Sequence, residues 1–490
     1  MRLDWLLVAS LLAVAGCSGK TGAGPSDDAA ADSGLVDVPA DGPLPDVDSG
    51  VPLADAAADG PATADGVPEA DTAPLPGDSL EELVLPVCVE PAGGEPVPVL
   101  ADETFDLGPY LVNPSPTAMT VMWRTLEPAG GTVLFGAGDA LDRQAAHEGQ
   151  ATVHEVLLDD LAPATRYSYK VESGGTKSQV HHFTTAPDPV QPVRFAHFSD
   201  NQNGPDVFAQ HMQALAAWGP QLLVGSGDHV QAGLDEPLWK EQLFGPARAL
   251  FHEVPLQLAM GNHEENAPFY YDLMSNPHPA DHPEWESHYG FRFGNTFFLV
   301  INTNYFLCPI GTVELPEGQH MRELAESPDA QSATWRIALG HENAFSECWG
   351  DGDCDYDGTL CIRNYVVPML AERGFHFYIS GHTHAYERAK AGNLVHLIAG
   401  GGGGSLDAWC KDWEQTTVVH TAHHHLRFEA GCQTLRMEAV DLDGTVFDWV
   451  ELDKDQPGVL SDQGPIPELP PPNLNSDRKL SPPGAEPRSS

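Results

Sequence analysis

"VRFAHFSD", Val193–Asp200, is an apolar run that stops on a carboxylate. The same shape returns in "PQLLVGSGD", Pro220–Asp228, and in "VPLQLAMGNHE", Val254–Glu264. Between these runs lie "DVFAQHMQALAAW" and "EPLWKEQLFGPARALF", whose apolar residues recur at helical spacing. Apolar runs alternating with helical segments predict an α/β domain with a buried sheet. "TFFLVINTN", "WRIALGHEN" and "FHFYISGHTH" extend the strand set. The stretch from "LRFEA" through "TLRMEAVDLDGTVFDWVEL" reads as closing antiparallel strands, with a turn at Asp443 and Gly444. We place this domain at 192–453.

Upstream the period changes to two. "MTVMWRT", "TVLFG", "HEVLLDD", "RYSYKVES" and "VHHFTT" alternate like strands, with turn signals at sandwich spacing. "LAPATRYSYKV" resembles the tyrosine-corner strand of fibronectin type III-like domains, with Leu161, Pro163, Thr165 and Tyr167 in step. A small all-β sandwich is expected over 105–187, without obvious chemistry of its own.

The chain has 490 residues, with 24 Lys+Arg against 71 Asp+Glu and a formal net charge of −47. No basic patch is visible, which argues against attraction to nucleic acid or anionic lipid. Arg2 is followed by a short apolar run from Trp5 to Ala15, too short to span a bilayer. "LLAVAGC" resembles the lipobox of bacterial lipoproteins, which implies lipidation of Cys17 after cleavage of residues before it. Ordinary secretion with cleavage near Ala15 is the alternative. Both readings export the protein, the first to a membrane face of the cell envelope. Residues 18–100 are rich in Ala, Asp, Gly and Pro and are expected to form a disordered tether. The Pro-rich tail at 454–490 reads the same way. Cys88, Cys308, Cys348, Cys354, Cys361, Cys410 and Cys432 remain after the leader. An odd number leaves at least one thiol unpaired within the chain, and a bridge among Cys348, Cys354 and Cys361 is expected from their proximity.

The polar residues that follow the strands carry the chemistry. Asp200, Asp228, Asn262, His341, His382 and His384 each lie just past an apolar run. In open α/β sheets functional groups gather at that rim. Carboxylates, an amide and imidazoles suit two divalent cations sharing a bridge. "FSDNQ", "GDHVQAGLDEPLW", "GNHE", "LGHEN" and "GHTHAYER" resemble the ordered blocks of calcineurin-like metallophosphoesterases. The preceding sandwich and "GHTHAYER" resemble the purple acid phosphatase branch. The resemblance implies a metallophosphatase-type β-sandwich core flanked by helices. It also implies two divalent metal ions (Mn, Zn or Fe), a metal-bound hydroxide as nucleophile and a phosphate-ester substrate.

By that resemblance Asp228 bridges both metals, Asp200 and His384 serve the first, and Asn262, His341 and His382 serve the second. His263 would face the substrate and protonate the leaving group or steady the phosphate, unless it is a helix-start histidine bonded to its own turn. Gly227, Gly261 and Gly381 would allow tight turns at the strand ends. Two positions depart from the pattern. Gln202 stands where the family commonly has a histidine, so it is a weak ligand or a water holder. Gln231 stands where purple acid phosphatases have a tyrosine, so no ferric–tyrosinate colour is expected. A phosphomonoesterase is the leading expectation. The alternatives are a phosphodiesterase or nucleotide hydrolase with the same site, or a non-catalytic surface binding lipoprotein.

Four further signals are set aside. "DCDYDG", Asp353–Gly358, starts like a calcium loop but has Asn364 at the twelfth position and flanking cysteines. The histidines of "HTAHHHLRF" are expected to be structural or to support the site from behind. "AGGGGGS", Ala399–Ser405, lacks the P-loop lysine and fits backbone passing close to the site. Glu387 and Arg388 are expected to form a rim ion pair.

Overall fold

The computed structural model describes residues 87–90, 94–100, 102–279, 282–306 and 316–462. The lipobox falls outside them. Among the described residues six strands come first: β1 (Leu107–Val112), β2 (Met119–Ala137), β3 (Arg143–Leu158), β4 (Arg166–Ser173), β5 (Thr176–Lys177) and β6 (His181–Thr184). Strand β2 is long enough to pair with two different neighbours along one edge. Its first part pairs with β1, its second with β4, and β3 follows it along both. The core enclosed between them holds Trp123, Phe135, Tyr169 and Phe183. The hydroxyl of Tyr167 accepts the backbone N–H of Ala162 at 2.9 Å, so the tyrosine corner is formed as such.

Strands β7 (Val193–Phe198), β8 (Leu222–Gly225) and β9 (Leu256–Leu258) run parallel. The helix Pro205–Trp218 crosses over between the first two. Proline at its first position, Asp206 in its first turn and Gly219 in the left-handed conformation mark its ends. Its buried face is Phe208, His211, Met212, Leu215 and Ala216, the spacing that lays one stripe on a sheet.

A second sheet follows: β10 (Tyr289–Phe293), β11 (Thr296–Val300), β12 (Trp335–Leu339), β13 (Phe377–Ser380), β14 (Tyr386–Ala391), β15 (Leu394–Ala399) and β16 (Thr416–His420). Strands β11, β12, β13 and β15 are parallel neighbours. Strands β17 (His424–Ala430), β18 (Thr434–Asp441), β19 (Val446–Asp453) and β20 (Gln456–Asp462) return to the first sheet, β17 pairing antiparallel with β7.

The two sheets pack face to face. Phe195 of β7 meets Phe298 of β11 edge-on at 5.0 Å and stacks on Phe428 of β17 at 4.5 Å. Each such fully buried ring contributes roughly 2–3 kcal/mol of transfer free energy. Helices cover both outer faces. Phe208, Leu215 and Phe251 pack under the first sheet, and Met321, Ile362 and Leu370 under the second. The catalytic-type domain is therefore a β-sandwich core between helical layers, as expected.

Three boundaries differ from the sequence reading. The sandwich is not a separate bead: β1 joins β9 in parallel through Val112 and Leu256, so one sheet runs through both units. The expected tether ends too late. Cys88 is bridged to Cys432, and Val97 donates its N–H to Ala216 O at 2.8 Å. A covalent tie and a backbone hydrogen bond anchor residues whose composition alone read as tether. At the other end, β20 carries the sheet to Asp462 by pairing with β19, beyond the expected limit at 453.

Candidate metal centre

The loops leaving β7, β8, β9, β12 and β13 converge at one rim, and all six ligand candidates lie on them. Asn262 Oδ1 lies 2.9 Å from His341 Nε2 and 2.9 Å from His382 Nδ1. The two imidazole nitrogens are 3.2 Å apart, and Asp228 Oδ2 is 3.1 Å from His341 Nε2. The ligand atoms of Asp228, His341 and His382 all fall within 4.8 Å of one another. On the other side of Asp228, His384 Nε2 is 3.6 Å from Asp200 Oδ1, and Gln202 Nε2 lies 3.3 Å from His384 Nε2 and 3.5 Å from Asp228 Oδ2.

These are mostly acceptor atoms turned toward one another. Asp200 Oδ2 and Gln202 Oε1 are buried with no hydrogen-bond partner. Such crowding of lone pairs suits a cation. For Gln202, a half-turn of the amide exchanges oxygen and nitrogen. That turn would direct its oxygen to the place its nitrogen now holds.

The backbone is forced here. Asp200, Asp228 and His382 all adopt positive φ, at 56°, 52° and 68°. Left-handed non-glycine residues cost about 1–3 kcal/mol each and persist where the surroundings over-determine them. Of the three glycines expected to open tight turns, only Gly227 does so, with φ 100°. Gly261 and Gly381 are needed for space instead. A Cβ at Gly261 would sit 2.2 Å from Asp228 Oδ1, and one at Gly381 would sit 2.1 Å from Asp200 Oδ2. The glycine run after β15 also passes close to the site, since a Cβ at Gly404 would lie 2.5 Å from the ring of His384.

Neighbours fix each ring. The Nδ1 of His341 faces Ser226 O at 2.9 Å, and the Nδ1 of His384 faces Ser405 O at 2.7 Å, which turns both Nε2 atoms inward. Asp407 accepts the N–H of His384 at 2.7 Å. His263 donates Nδ1–H to Gln231 O at 2.7 Å and presents Nε2 3.9 Å from Asp228 Oδ2, its side chain 33% exposed. The side-chain nitrogen of Gln231 also faces that Nδ1, at 3.2 Å.

Charge at the rim is strongly coupled. Burial pushes Asp200 up to about 6, with His341 and His384 pulling against it and Asp228 adding to it. Burial would also raise Asp228, but His341 holds it well below the usual carboxylate range. His341 is pushed up to about 10: burial works against its charge, and Asp228, Asp200 and Glu342 overcome that. Burial lowers His382 to about 4.

One residue without an assigned role in the sequence reading holds the site together. Glu264 is fully buried and accepts N–H groups from Asp228 at 2.9 Å, His229 at 2.6 Å and Gly261 at 2.5 Å. It ties the loops after β8 and β9 to each other. Its only signal was a carboxylate two residues beyond Asn262. Asn343 does the same for the loops after β12 and β13, bonding Thr383 and Ser380 at 2.8 and 2.7 Å.

Other expectations are corrected. Glu387 and Arg388 do not form a rim pair. Both are buried; Glu387 accepts the N–H groups of Glu347 and Cys348, while Arg388 binds Asp448 at 2.8 Å. Adjacent strand residues face opposite ways. No bridge joins two of Cys348, Cys354 and Cys361. Cys354 pairs with Cys410, Cys361 is in another disulfide, and Cys348 is the free, buried thiol. The Cys354–Cys410 bridge pins the Asp353–Gly358 loop. His425 is buried against His211, with 3.0 Å between their Nδ1 atoms, and so is structural.

Residues 193–386 match the calcineurin-like phosphoesterase family, and residues 108–185 match the purple acid phosphatase N-terminal domain. Purple acid phosphatase 15 of Arabidopsis thaliana is 23% identical over 277 residues, covering 49% of this chain and 49% of that protein. The chain thus spans about half the length of that curated relative. Among solved structures, a purple acid phosphatase from yellow lupin (Lupinus luteus) seeds superposes with a TM-score of 0.61 at 18% identity, covering 70% of this chain and 74% of that one. PhoD does so with 0.58 at 13% identity, over 75% and 93%. The chain carries the metallophosphatase α/β fold, preceded by a sandwich-like N-terminal domain.

Proposed function

We propose that this protein is a metallophosphoesterase, and more narrowly a phosphomonoesterase that works with two divalent cations. The observation that carries the reading is the cluster of lone pairs. Asp228, Asn262, His341 and His382 aim acceptor atoms at one point, and Asp200 with Gln202 leaves buried oxygens without donors next to it. Asp228 would be shared, with Asn262, His341 and His382 on one side and Asp200, His384 and Gln202 on the other. Bound there, two divalent cations supply a nucleophile at neutral pH and neutralise a phosphoryl group in flight.

The remaining chemistry belongs to the chain. His263, anchored through Nδ1 to Gln231 O, points Nε2 to the open side; when Nε2 also carries a proton, the ring can pass it to the departing alcohol oxygen and return to the neutral form. Glu264 keeps Asp228 and Asn262 in register while this happens. The left-handed backbones at Asp200, Asp228 and His382 preset the ligand directions before substrate arrives. On the leader sequence alone, we also propose that Cys17 is lipidated and that the enzyme works on a membrane face of the cell envelope.

A phosphodiesterase with the same site is the second reading. Among the described residues no Lys or Arg bonds or pairs with these side chains, and a diester brings one negative charge fewer than a monoester dianion. The test is turnover of p-nitrophenyl phosphate beside its bis-ester, with metal content measured on the same preparation and with Mn or Zn added. Two metal equivalents and faster monoester hydrolysis are expected, with activity lost in Asn262→Ala. Faster bis-ester hydrolysis selects the second reading. No turnover of either, with Asn262→Ala indistinguishable from wild type, rejects both.

A further inference from the structure

We propose that Glu342 is the positioning residue of His382, the carboxylate that decides which nitrogen of that ring is offered to metal; this deepens the metallophosphoesterase reading and rests on it. Glu342 is buried on the loop after β12, one residue beyond His341. Its Oε2 accepts Thr359 Oγ1–H at 2.6 Å and Tyr356 Oη–H at 3.1 Å. Its backbone is held as well: Glu342 N donates to Thr303 Oγ1 at 3.0 Å, and Tyr378 Oη–H donates to Glu342 O at 2.6 Å. The carboxylate is therefore fixed from behind, and its Oε2 stands 3.8 Å from His382 Nε2. At that distance it is a charge contact rather than a hydrogen bond.

The other nitrogen of His382 is the one among the ligand atoms, 2.9 Å from Asn262 Oδ1 and 3.2 Å from His341 Nε2. A neutral imidazole carries one N–H. If Nδ1 is to give its lone pair to a cation, the hydrogen belongs on Nε2, and a carboxylate facing Nε2 selects that tautomer. His341 and His384 have their rings set by backbone carbonyls at Nδ1 and present Nε2. His382 presents the opposite nitrogen, and Glu342 is the acidic group that faces its outer side. The rings of Tyr356 and Trp349, 4.8 and 5.1 Å from the imidazole, hold its plane.

The experiment uses the full chain, stripped of metal and titrated with Zn alone against a chelator, with the metal-free melting temperature recorded for each variant. Glu342→Ala is expected to weaken one of two Zn equivalents on the order of 10–100-fold, leaving the other as in wild type. Glu342→Gln, which keeps an acceptor oxygen, should fall between. Tyr356→Phe combined with Thr359→Val leaves the carboxylate but frees it, and a smaller loss at the same equivalent is expected. Should Glu342→Ala fail to fold, that double variant decides the matter. Wild-type affinity at both equivalents in the folded variants overturns the positioning role. A wild-type chain that binds Zn twice but hydrolyses nothing removes only the proposed activity, whereas one that binds no Zn removes both.

Discussion

Two buried clusters of carboxylates and imidazoles sit at opposite ends of the β7–β9 strands, and they behave oppositely. At the seam with the N-terminal sandwich, His181 lies between Asp102 and Glu253, at 2.9 and 3.4 Å, with His252 stacked on it at 4.2 Å. Asp102 also accepts N–H groups from Thr104 and Gln179, at 3.0 and 2.8 Å, and Glu253 accepts that of His182 at 3.0 Å. Each carboxylate there meets donors. Burial disfavours charge on His181, but Asp102 and Glu253 raise its pKa. At the rim Asp200 Oδ2 has no donor, and Asp228 Oδ2, Asn262 Oδ1 and one nitrogen each of His341 and His382 crowd together. Residue types do not separate a structural cluster from a metal centre; the count of donors against acceptors does.

The sharpest way to break this contrast is Asp228→Asn. At the rim it should lower phosphate-ester turnover on the order of 10³-fold and reduce metal content, because it removes the carboxylate shared by both halves of the site. Turnover within a few fold of wild type would contradict the assignment. The matching change at the seam, Asp102→Ala, should do the reverse. It leaves a buried imidazolium with one carboxylate instead of two and costs about 3 kcal/mol in denaturant unfolding near pH 5, with turnover nearly unchanged.

That seam also predicts a pH window. Burial opposes the charge on Asp102, but His181 and backbone donors hold its pKa below the ordinary 3.8, so its contribution is present above that value and disappears on acidification. His181 is raised above the ordinary 6.5, so its contribution is full below 6.5 and is lost as pH rises through its folded value. The stability difference between wild type and Asp102→Ala should therefore be largest between about pH 4 and 6.5 and shrink on both sides. A difference that grows steadily toward alkaline pH would break the account.

The rim should respond to ions where the seam does not. At a concentration 100 times its dissociation constant, Zn or Mn should add about 2.7 kcal/mol to unfolding, removed again by chelator, in wild type and in Asp102→Ala alike. The smallest expected effect is Gln202→His. Replacing an amide by an imidazole beside Asp200 and His384 should tighten one equivalent a few fold without altering the seam. Weaker binding would mean that Gln202 already serves by its oxygen.

Apolar runs ending on Asp200, Asp228, Asn262 and His341 were readable along the chain, because strand burial and functional residues at strand ends leave a one-dimensional trace. So was the alternation of the sandwich, including the corner at Tyr167. Glu264 and Glu342 were visible as letters within "GNHE" and "LGHEN" without a role, since a supporting carboxylate is defined by what it faces. Sequence could not reveal that Gly381 is required by Asp200 rather than by a turn, because those residues meet only after folding. The same holds for Cys88 tying the apparent tether to Cys432 and for the Cys354–Cys410 pairing.

The order of strands, the set of ligand types and the acidic character of the protein belong to the sequence itself, for they depend on periodicity and composition. Which nitrogen of each histidine faces inward and which carboxylates are left without donors were settled by tertiary structure. Those properties depend on directions and distances between residues as far apart in the chain as Asp200 and His382, and no local pattern encodes them.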